Sequence, residues 1–315
     1  MSQETPFFSI AIPAFKISFF EECLQSVLSQ TFQDFEVIII NDASPDPLED
    51  IIAKYPDERV IYKKNDVGYG GYHVIDNWMA CLKLAKGNYF MCIGDDDRLL
   101  PDCLQKYSSL IRQYPNFKIY HAGTQFINEN SEIVSIQEPR PPKESVWSIV
   151  WHQWFKHRTI LIGDYLFQTD FLRNQGGFVW FPYAWGSDSC TVYHIAACGG
   201  GIANMQDFAF QYRINNQSIS LSRSLNKQKL IACSQAKEWV KNFLANSPSN
   251  PNDIFYWKDL CRGFNDYYDS LYKSLITGDI KANHSIKNIV YWLRHGKKYQ
   301  LSIPSVILCI LHGFH

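Results

Sequence analysis

The segment Tyr89–Leu104, "YFMCIGDDDRLLPDCL", decides the fold, because an apolar strand pattern in it runs directly into a group of acids. Its first five residues have the short, continuously apolar composition of a buried strand. Asp95, Asp96 and Asp97 follow, and like charges on neighbouring positions repel one another. In open α/β sheets, ligands bind beyond the carboxyl ends of the strands. The triplet therefore indicates a ligand site at a strand end, and an ordinary solvated acidic turn is the alternative.

A second acidic segment, "IIINDASPD", belongs to the end of another apolar strand pattern, residues 35–40. It places Asn41, Asp42 and Asp46 at the carboxyl end of that strand. Acids from two strands at one sheet edge require a cation or hydrogen-bond donors between them. Oxygen ligands favour Mg²⁺ or Mn²⁺, and proteins usually share these ions with substrate phosphates. The two segments together predict a Mn²⁺ or Mg²⁺ site that also binds a diphosphate.

The order of strand and helix patterns divides the chain into an α/β domain and a helical extension. Residues 1–124 alternate short apolar strands with amphipathic helices, which is typical of a mainly parallel sheet flanked by helices. Residues 125–222 contain a hairpin pattern and many aromatic and glycine residues. We therefore predict one domain over residues 1–222, built from these two halves, and a helical carboxyl-terminal extension over residues 223–315.

Two helices can be predicted with their ends. Ser18–Gln30 has amphipathic spacing, and Ser18 followed by Glu21 matches a capping box in which the serine is the N-cap. Asp253–Leu275 has the mixed polar and apolar spacing of a second, longer helix.

Composition and charge limit the class of partner and the compartment. With 315 residues, 46% of them hydrophobic, and a net charge of −1, the chain is globular and lacks the basic balance that nucleic-acid binding needs. Nine cysteines without a CxxC pair and an amino terminus without a secretory pattern favour the cytoplasm. The last segment mixes basic and apolar residues, which predicts either a packed helix or peripheral attachment to the inner face of the cytoplasmic membrane.

Three sequence blocks carry a resemblance to a known family: "SIAIPAF", "ECLQSVLSQTFQDFEVIIINDASPD" and "NDVGYGGYHVIDNWMACLKLAKGNYFMCIGDDDRLLP". From Phe8 to about Leu110 the chain resembles the amino-terminal half of a family 2 glycosyltransferase. Later segments, "FLRNQGGF", "WGSDSC" and "YRINNQSIS", keep the family's order. The resemblance implies a GT-A fold, which is a Rossmann-like, mostly parallel central sheet flanked by helices. It also implies inverting sugar transfer from a nucleotide diphosphate sugar.

The resemblance assigns the nucleotide base to the end of the first strand. Pro13, Ala14 and Phe15 match the segment whose backbone lies against the base in the family. Asp42 matches the acid that accepts the imino proton of a pyrimidine, which favours a uridine or thymidine diphosphate sugar. Lys16 stands where the family usually has asparagine.

The resemblance also assigns the ribose and the metal. Asn65 and Gly68 match the family's "N-x-x-G" loop near the nucleotide. In the DXD-like motif, Asp95 is expected near the ribose and Asp96 as the metal ligand, while Asp97 is expected either to assist as a second ligand or to face water.

The second half is expected to supply the acceptor side of the site. Asp188 in "WGSDSC" matches the family's acidic position and is the expected base that takes the acceptor proton, with a helix N-cap as its alternative role and Asp164 as the reserve base. Arg213 is expected near the diphosphate, where a cation stabilises the leaving group. Trp185, next to the proposed base, is the expected aromatic contact for the acceptor sugar.

These expectations describe a metal-dependent inverting glycosyltransferase of bacterial-type surface polysaccharide biosynthesis. It would transfer one sugar to a glycan or lipid-linked acceptor. One alternative is a noncatalytic nucleotide-sugar-binding protein of the same fold. Another is a sugar nucleotidyltransferase, which needs a glycine-rich loop with a basic residue after the first strand, and "IPAFKISFF" has no glycine there.

Overall fold

The computed structural model describes residues 5–215, 218 and 222–314. Within them, ten strands form one sheet in the order β3-β2-β1-β4-β9-β6-β10-β5, with β7 paired to β6 and β8 paired to β10. The strands are β1 (Phe8–Ala14), β2 (Phe35–Asn41), β3 (Val60–Lys64), β4 (Tyr89–Cys92), β5 (Arg98–Leu99), β6 (Ile119–Ile127), β7 (Ile133–Ile136), β8 (Lys143–Glu144), β9 (Tyr165–Gln168) and β10 (Ile202–Arg213).

The sheet is parallel in the amino-terminal half and mixed beyond it. β1 pairs in parallel with both β2 and β4, and β2 pairs in parallel with β3. β9 is antiparallel to β4 and β6, and it joins the first half to the parallel pair β6 and β10. Since β1, β2 and β4 run the same way, their carboxyl ends meet at one edge, as the acidic segments predicted.

Helices cover both faces of the sheet, and within the described residues after 225 the chain consists of helices joined by short loops. The helices are α1 (Phe20–Leu28), α2 (Leu48–Ile52), α3 (Val74–Leu84), α4 (Cys103–Gln113), α5 (Val146–Lys156), α6 (Thr169–Asn174), α7 (Ser187–Cys198), α8 (Asn226–Phe243), α9 (Pro251–Ala282), α10 (Ile286–His295) and α11 (Ile303–Gly313). No helix among the described residues is long and apolar enough to cross a membrane.

Two apolar clusters separate the sheet from its helices, and β1 contributes to both because successive side chains of a strand point to opposite faces. Phe8, Ile10 and Ile12 pack with residues of α1 and α4. Ala11 belongs to the other cluster, which contains residues of α3, α5 and α7 and extends through α8, α9 and α11. The helical extension therefore shares a continuous core with one face of the sheet.

The predicted amino-terminal end of α1 is wrong. The helix begins at Phe20, Phe19 is its N-cap, and no side chain caps it. The backbone N–H of Phe20 donates to the carbonyl oxygen of Ile17 at 3.2 Å, so residues 17–20 form a turn instead of a first helical turn capped by Ser18. The predicted helix Asp253–Leu275 exists within α9 but continues to Ala282.

Candidate active site

Asp95 connects the end of β4 to the end of β1. Its Oδ2 accepts hydrogen bonds from the backbone N–H groups of Phe15 and Lys16, at 2.8 and 2.7 Å. The side chain is buried, and burial raises the pKa of the Asp95 carboxyl despite these donors. Asp95 therefore fixes the segment after Pro13, and its contact with a ribose stays a prediction.

A lysine ammonium lies between two of the three acids. Lys16 Nζ is 3.4 Å from Asp95 Oδ1 and donates to Asp96 Oδ2. Asn215 Nδ2 donates to the same Asp96 oxygen at 2.7 Å. Burial alone would lower the pKa of Lys16, but the attraction of Asp95 and Asp96 outweighs it and raises that pKa. A permanent cation therefore neutralises much of the repulsion within the triplet.

Asp97 lies in a different environment from its neighbours. It is buried, and its Oδ1 accepts a hydrogen bond from the backbone N–H of Arg213 at 3.0 Å. Burial, followed by repulsion from Asp96, raises the pKa of the Asp97 carboxyl well above its usual value. Asp96 is the less buried of the two carboxyls. An assisting role for Asp97 stays a prediction.

The guanidinium of Arg213 donates hydrogen bonds to other groups of the protein. Nε donates to the carbonyl oxygen of Asp96 at 2.9 Å, Nη1 to that of Asn128 at 3.0 Å, and Nη2 to Glu22 Oε2 at 2.9 Å. The group also lies 4.2 Å from the centroid of the Phe19 ring, and the residue is 1% exposed. Its predicted contact with the diphosphate stays a prediction, and the structure gives Arg213 the role of fixing the backbone at Asp96.

Replacing Arg213 by Met should lower the free energy of unfolding by about 3 kcal/mol, because buried carbonyl oxygens lose their donors. Urea unfolding measures this loss. Arg98→Met is the matched control, because Arg98 Nη1 lies 3.5 Å from the same Glu22 oxygen but is partly exposed. The control should lose less than about 1 kcal/mol. Equal losses in the two variants would contradict a special structural role for Arg213.

Asp42 and the predicted nucleotide loop lie together. Asp42 Oδ1 accepts from the backbone N–H of Tyr69 at 2.7 Å and from Asn65 Nδ2 at 3.1 Å, and Oδ2 accepts from the N–H of Gly70 at 2.9 Å. A side chain at Gly68 would place its Cβ 2.4 Å from the carbonyl oxygen of Asp42, so only glycine permits this approach. The structure thus brings Asp42, Asn65 and Gly68 into one loop anchor, whereas recognition of a pyrimidine stays a prediction.

Ser44 completes the contact between the ends of β1 and β2. Its Oγ donates to the carbonyl oxygen of Phe15 at 2.6 Å, and its N–H donates to Asn41 Oδ1 at 2.7 Å. The N–H of Asp42 donates to the carbonyl oxygen of Ala14 at 2.9 Å, and the Phe15 ring is 48% exposed. Sequence reasoning missed Ser44, although its place in "NDASPD" beside Asp42 was a usable signal.

Asp188 lies in the first turn of α7. Gly186 is the N-cap of that helix, with a φ of 87°, so Asp188 is not the cap and the alternative role is wrong. Asp188 Oδ1 accepts from the backbone N–H of Ser189 at 2.8 Å. Burial raises the pKa of Asp188 to about 6, and repulsion from Asp164 adds to the increase. A carboxylate with this pKa is ionised at neutral pH and still basic enough to accept a proton.

Asp164, the reserve base, is fully buried. Its Oδ2 accepts from Thr124 Oγ1 at 2.7 Å and from Gln137 Nε2 at 2.9 Å, and His121 Nε2 lies 3.5 Å away. An acceptor hydroxyl could not reach a side chain with no exposed surface. Asp164 is therefore a structural group beneath the site, and Asp188 is the remaining candidate.

The segment before Asp188 has an unusual backbone. Tyr183 and Ala184 have φ angles of 58° and 54°, which non-glycine residues rarely adopt. The Tyr72 ring, from the loop that Asp42 anchors, lies 5.5 Å from the Tyr183 ring and 5.7 Å from the Trp180 ring. These aromatic contacts join the predicted nucleotide loop to the segment that carries Asp188. Strained backbone at such a junction is typical of functional sites.

Trp185 has a cation over its ring. Lys229 Nζ lies 4.6 Å from the Trp185 centroid and donates to the carbonyl oxygen of Ser222 at 2.7 Å. Burial lowers the pKa of Lys229 to about 8. The predicted contact of Trp185 with an acceptor sugar stays a prediction, and sequence reasoning did not anticipate the lysine on its ring.

The family model for glycosyl transferase family 2 matches residues 9–159. An uncharacterized glycosyltransferase of Methanocaldococcus jannaschii is 23% identical over 254 residues, which cover 76% of this chain and 79% of that protein. The Escherichia coli glucosyltransferase WfaP, named for transfer from UDP-Glc to α-D-GlcNAc-diphosphoundecaprenol, is 26% identical over 64% of this chain and 74% of its own length. A Rickettsia prowazekii glycosyltransferase is 28% identical, and the match spans about half of it.

Solved structures show the same fold. Staphylococcus aureus TarS 1–349, in complex with UDP-GlcNAc, has a TM-score of 0.61 at 14% identity, over 96% of this chain and 90% of that one. The mannosyltransferase PcManGT from Pyrobaculum calidifontis, in complex with GDP-Man and Mn²⁺, has a TM-score of 0.56 at 13% identity, over 99% and 88%.

The family 2 model thus matches the amino-terminal half of the chain, and the chain has the GT-A fold that its sequence predicted. The family model and the named relatives identify it as a glycosyltransferase. This assignment favours the enzyme over the noncatalytic protein and the nucleotidyltransferase.

The acids of the triplet could hold a divalent ion only together with phosphate groups of the substrate. Among residues 5–215, 218 and 222–314, no group of three or more His, Cys, Asp or Glu side chains is arranged to hold a metal. Mg²⁺ and Mn²⁺ are commonly held by one or two carboxylates together with substrate phosphates. Asp96 offers such a carboxylate, provided that the Lys16 ammonium leaves it.

Proposed function

We propose that this glycosyltransferase is a metal-dependent inverting enzyme of surface polysaccharide biosynthesis. It moves one sugar from a UDP- or TDP-linked donor to a glycan or lipid-linked acceptor. The reaction takes place in the cytoplasm at the inner face of the membrane. The observation that carries the proposal is the assembly at the ends of β1, β2 and β4, where Asp95 binds the backbone of Phe15, Lys16 binds Asp96, and the Asp42 loop lies beside them.

The relatives support particular substrates. WfaP is named for a UDP-Glc donor and a diphosphoundecaprenol-linked acceptor, and the TarS structure contains UDP-GlcNAc. Asp42 favours a pyrimidine base. The PcManGT structure contains GDP-Man, so a guanosine diphosphate sugar is the alternative donor that an experiment must test. We therefore favour a uridine or thymidine donor and a lipid-linked acceptor.

The chemistry divides between two carboxylates. Asp188, oriented by the Ser189 N–H, takes the proton of the acceptor hydroxyl as that oxygen attacks the anomeric carbon. Asp96 would hold a divalent ion, which when bound neutralises charge on the leaving diphosphate. Asp95 keeps the backbone of Phe15 and Lys16 in place beside it.

Thermal unfolding with UDP, TDP, GDP or CMP, each with and without Mn²⁺, tests the donor assignment. A ligand that binds only the folded state adds about 2.7 kcal/mol of stability at 100 times its Kd. We expect UDP or TDP to raise Tm by several degrees with Mn²⁺ and much less without it, while GDP and CMP leave Tm nearly unchanged. Equal stabilisation by GDP would contradict the pyrimidine assignment, and no stabilisation by any nucleotide would contradict the nucleotide site.

A further inference from the structure

α11 is apolar on both of its faces. Its inner face packs against α9 so closely that a Cβ on Gly313 would lie 2.4 Å from Ile280 Cγ2. Its outer face carries apolar side chains at helical spacing, and they are between 44% and 54% exposed. We call these residues, with the one that follows the helix, the outer face: Ile303, Ile307, Leu308, Leu311 and Phe314. A surface helix of a globular protein normally presents polar residues there, and an exposed apolar patch usually marks an interaction site.

α10, which precedes α11, also exposes apolar side chains and adds positive charge. Ile286 is 79% exposed, and Leu293, two helical turns later, is also exposed. Lys287 and Arg294 directly follow these two residues in the sequence and are exposed as well. Two more exposed lysines, at positions 297 and 298, lie in the short turn between α10 and α11. Basic side chains therefore border the exposed apolar residues.

The charge of this segment differs from that of the rest of the chain. Residues 281–315 contain five Lys and Arg residues and no Asp or Glu, so their formal charge is +5. Since the whole chain carries −1, residues 1–280 carry −6. The segment that carries these exposed apolar residues is thus net positive, whereas the rest of the chain is net negative.

We infer that the outer face of α11, together with the basic residues of α10 and the following turn, docks on an anionic lipid bilayer. A bilayer surface offers an apolar layer for the aliphatic side chains and anionic headgroups for the lysines, which is the combination that interfacial helices bind. At 11 residues, α11 is about 16 Å long, so it lies along the surface and does not cross it. The inference rests on the proposed function, which puts the enzyme at the inner face of the membrane, and deepens it by naming the surface that docks there.

Liposome flotation of the full chain tests this docking, with vesicles of phosphatidylcholine alone or with phosphatidylglycerol. We expect flotation with the anionic vesicles only, decreasing as salt increases. Leu308→Glu with Leu311→Glu should abolish it. Lys297→Gln with Lys298→Gln should weaken partitioning about 25-fold, since each basic residue near an anionic surface contributes about fivefold. Ile133→Glu with Ile136→Glu, on the exposed strand β7, is the matched control and should float like the wild type.

Two further measurements separate this inference from its rivals. Tm and the UDP response of the Leu308→Glu, Leu311→Glu variant should equal those of the wild type, so a loss of flotation is not a loss of folding or of donor binding. Light scattering after gel filtration reports on self-association. Wild-type protein that ignores anionic vesicles, or a dimer that the same double variant converts to a monomer, would overturn the inference and assign the outer face to a second copy of this chain.

Discussion

Asp188→Asn is expected to lower kcat by about 10³-fold and leave the affinity for the donor nucleotide unchanged. General acid–base catalysis contributes about 10² to 10⁴ in rate, and an asparagine cannot accept the acceptor proton. The substitution preserves the shape of the side chain, and the Ser189 N–H can still donate to its Oδ1. The loss therefore belongs to the chemical step.

The matched control is Asp170→Asn, which also changes a carboxylate to an amide near the start of a short helix. The Asp170 side chain is 86% exposed, and its ion pair with Arg173, at 3.4 Å, joins neighbouring turns of that helix. We expect its turnover and stability to be unchanged within about 0.5 kcal/mol. Wild-type turnover in Asp188→Asn would show that another group takes the proton.

Stability provides a second readout of the same substitution, because burial raises the pKa of Asp188 from 3.8 to about 6. Ionisation of the Asp188 carboxyl therefore lowers the free energy of unfolding. This loss is absent below about pH 4 and complete above about pH 6. Asp188→Asn should raise the free energy of unfolding by about 3 kcal/mol at pH 7.5 and by almost nothing at pH 4. In the wild type, kcat/KM should fall about tenfold per pH unit below pH 6.

Local sequence patterns predicted where the acids lie and did not predict which of them face solvent. Strand ends placed Asp42 and the triplet at one sheet edge, and the family resemblance placed Asn65 and Gly68 near the nucleotide. The burial of Asp97 depends on β10, which lies 116 residues further along the chain. Only the pairing of distant strands determines which carboxyl is covered.

The same limit applies to Arg213. The resemblance placed Arg213 near the diphosphate, and in the structure its donors reach Asp96, Asn128 and Glu22, which are 117, 85 and 191 residues away. The direction of a long side chain follows from packing around it, and no spacing in the sequence encodes that packing.

The predicted end of a helix was wrong where a tertiary contact overrode the local sequence signal. Glycine normally weakens or ends a helix, and α9 was predicted to end at Leu275. A Cβ at Gly278 would lie 2.5 Å from Asn226 Nδ2, which donates to the carbonyl oxygen of Leu275 at 3.1 Å. The missing side chain thus makes room for α8, and α9 continues through the glycine to Ala282.

Asp96→Asn and Lys16→Asn should change Mn²⁺ affinity in opposite directions. The proposed ion takes Asp96 as its carboxylate ligand, so the amide should weaken Mn²⁺ binding in the presence of UDP by at least about 100-fold. Lys16 Nζ occupies that carboxylate in the structure, and an incoming ion must displace it. A charge-assisted hydrogen bond contributes about 1.5 kcal/mol or more, so removing the ammonium should tighten Mn²⁺ binding about tenfold.

Titration of the free Mn²⁺ signal by electron paramagnetic resonance, at fixed pH with UDP present, measures both effects without turnover. Lys54→Asn is the control for lost positive charge, because Lys54 pairs with Glu21 at 3.2 Å and is largely exposed. Its Mn²⁺ affinity should match that of the wild type. If Lys16→Asn instead weakens UDP binding while the wild type binds UDP equally well without Mn²⁺, the ammonium itself balances the diphosphate charge, and the enzyme needs no divalent ion at this strand end.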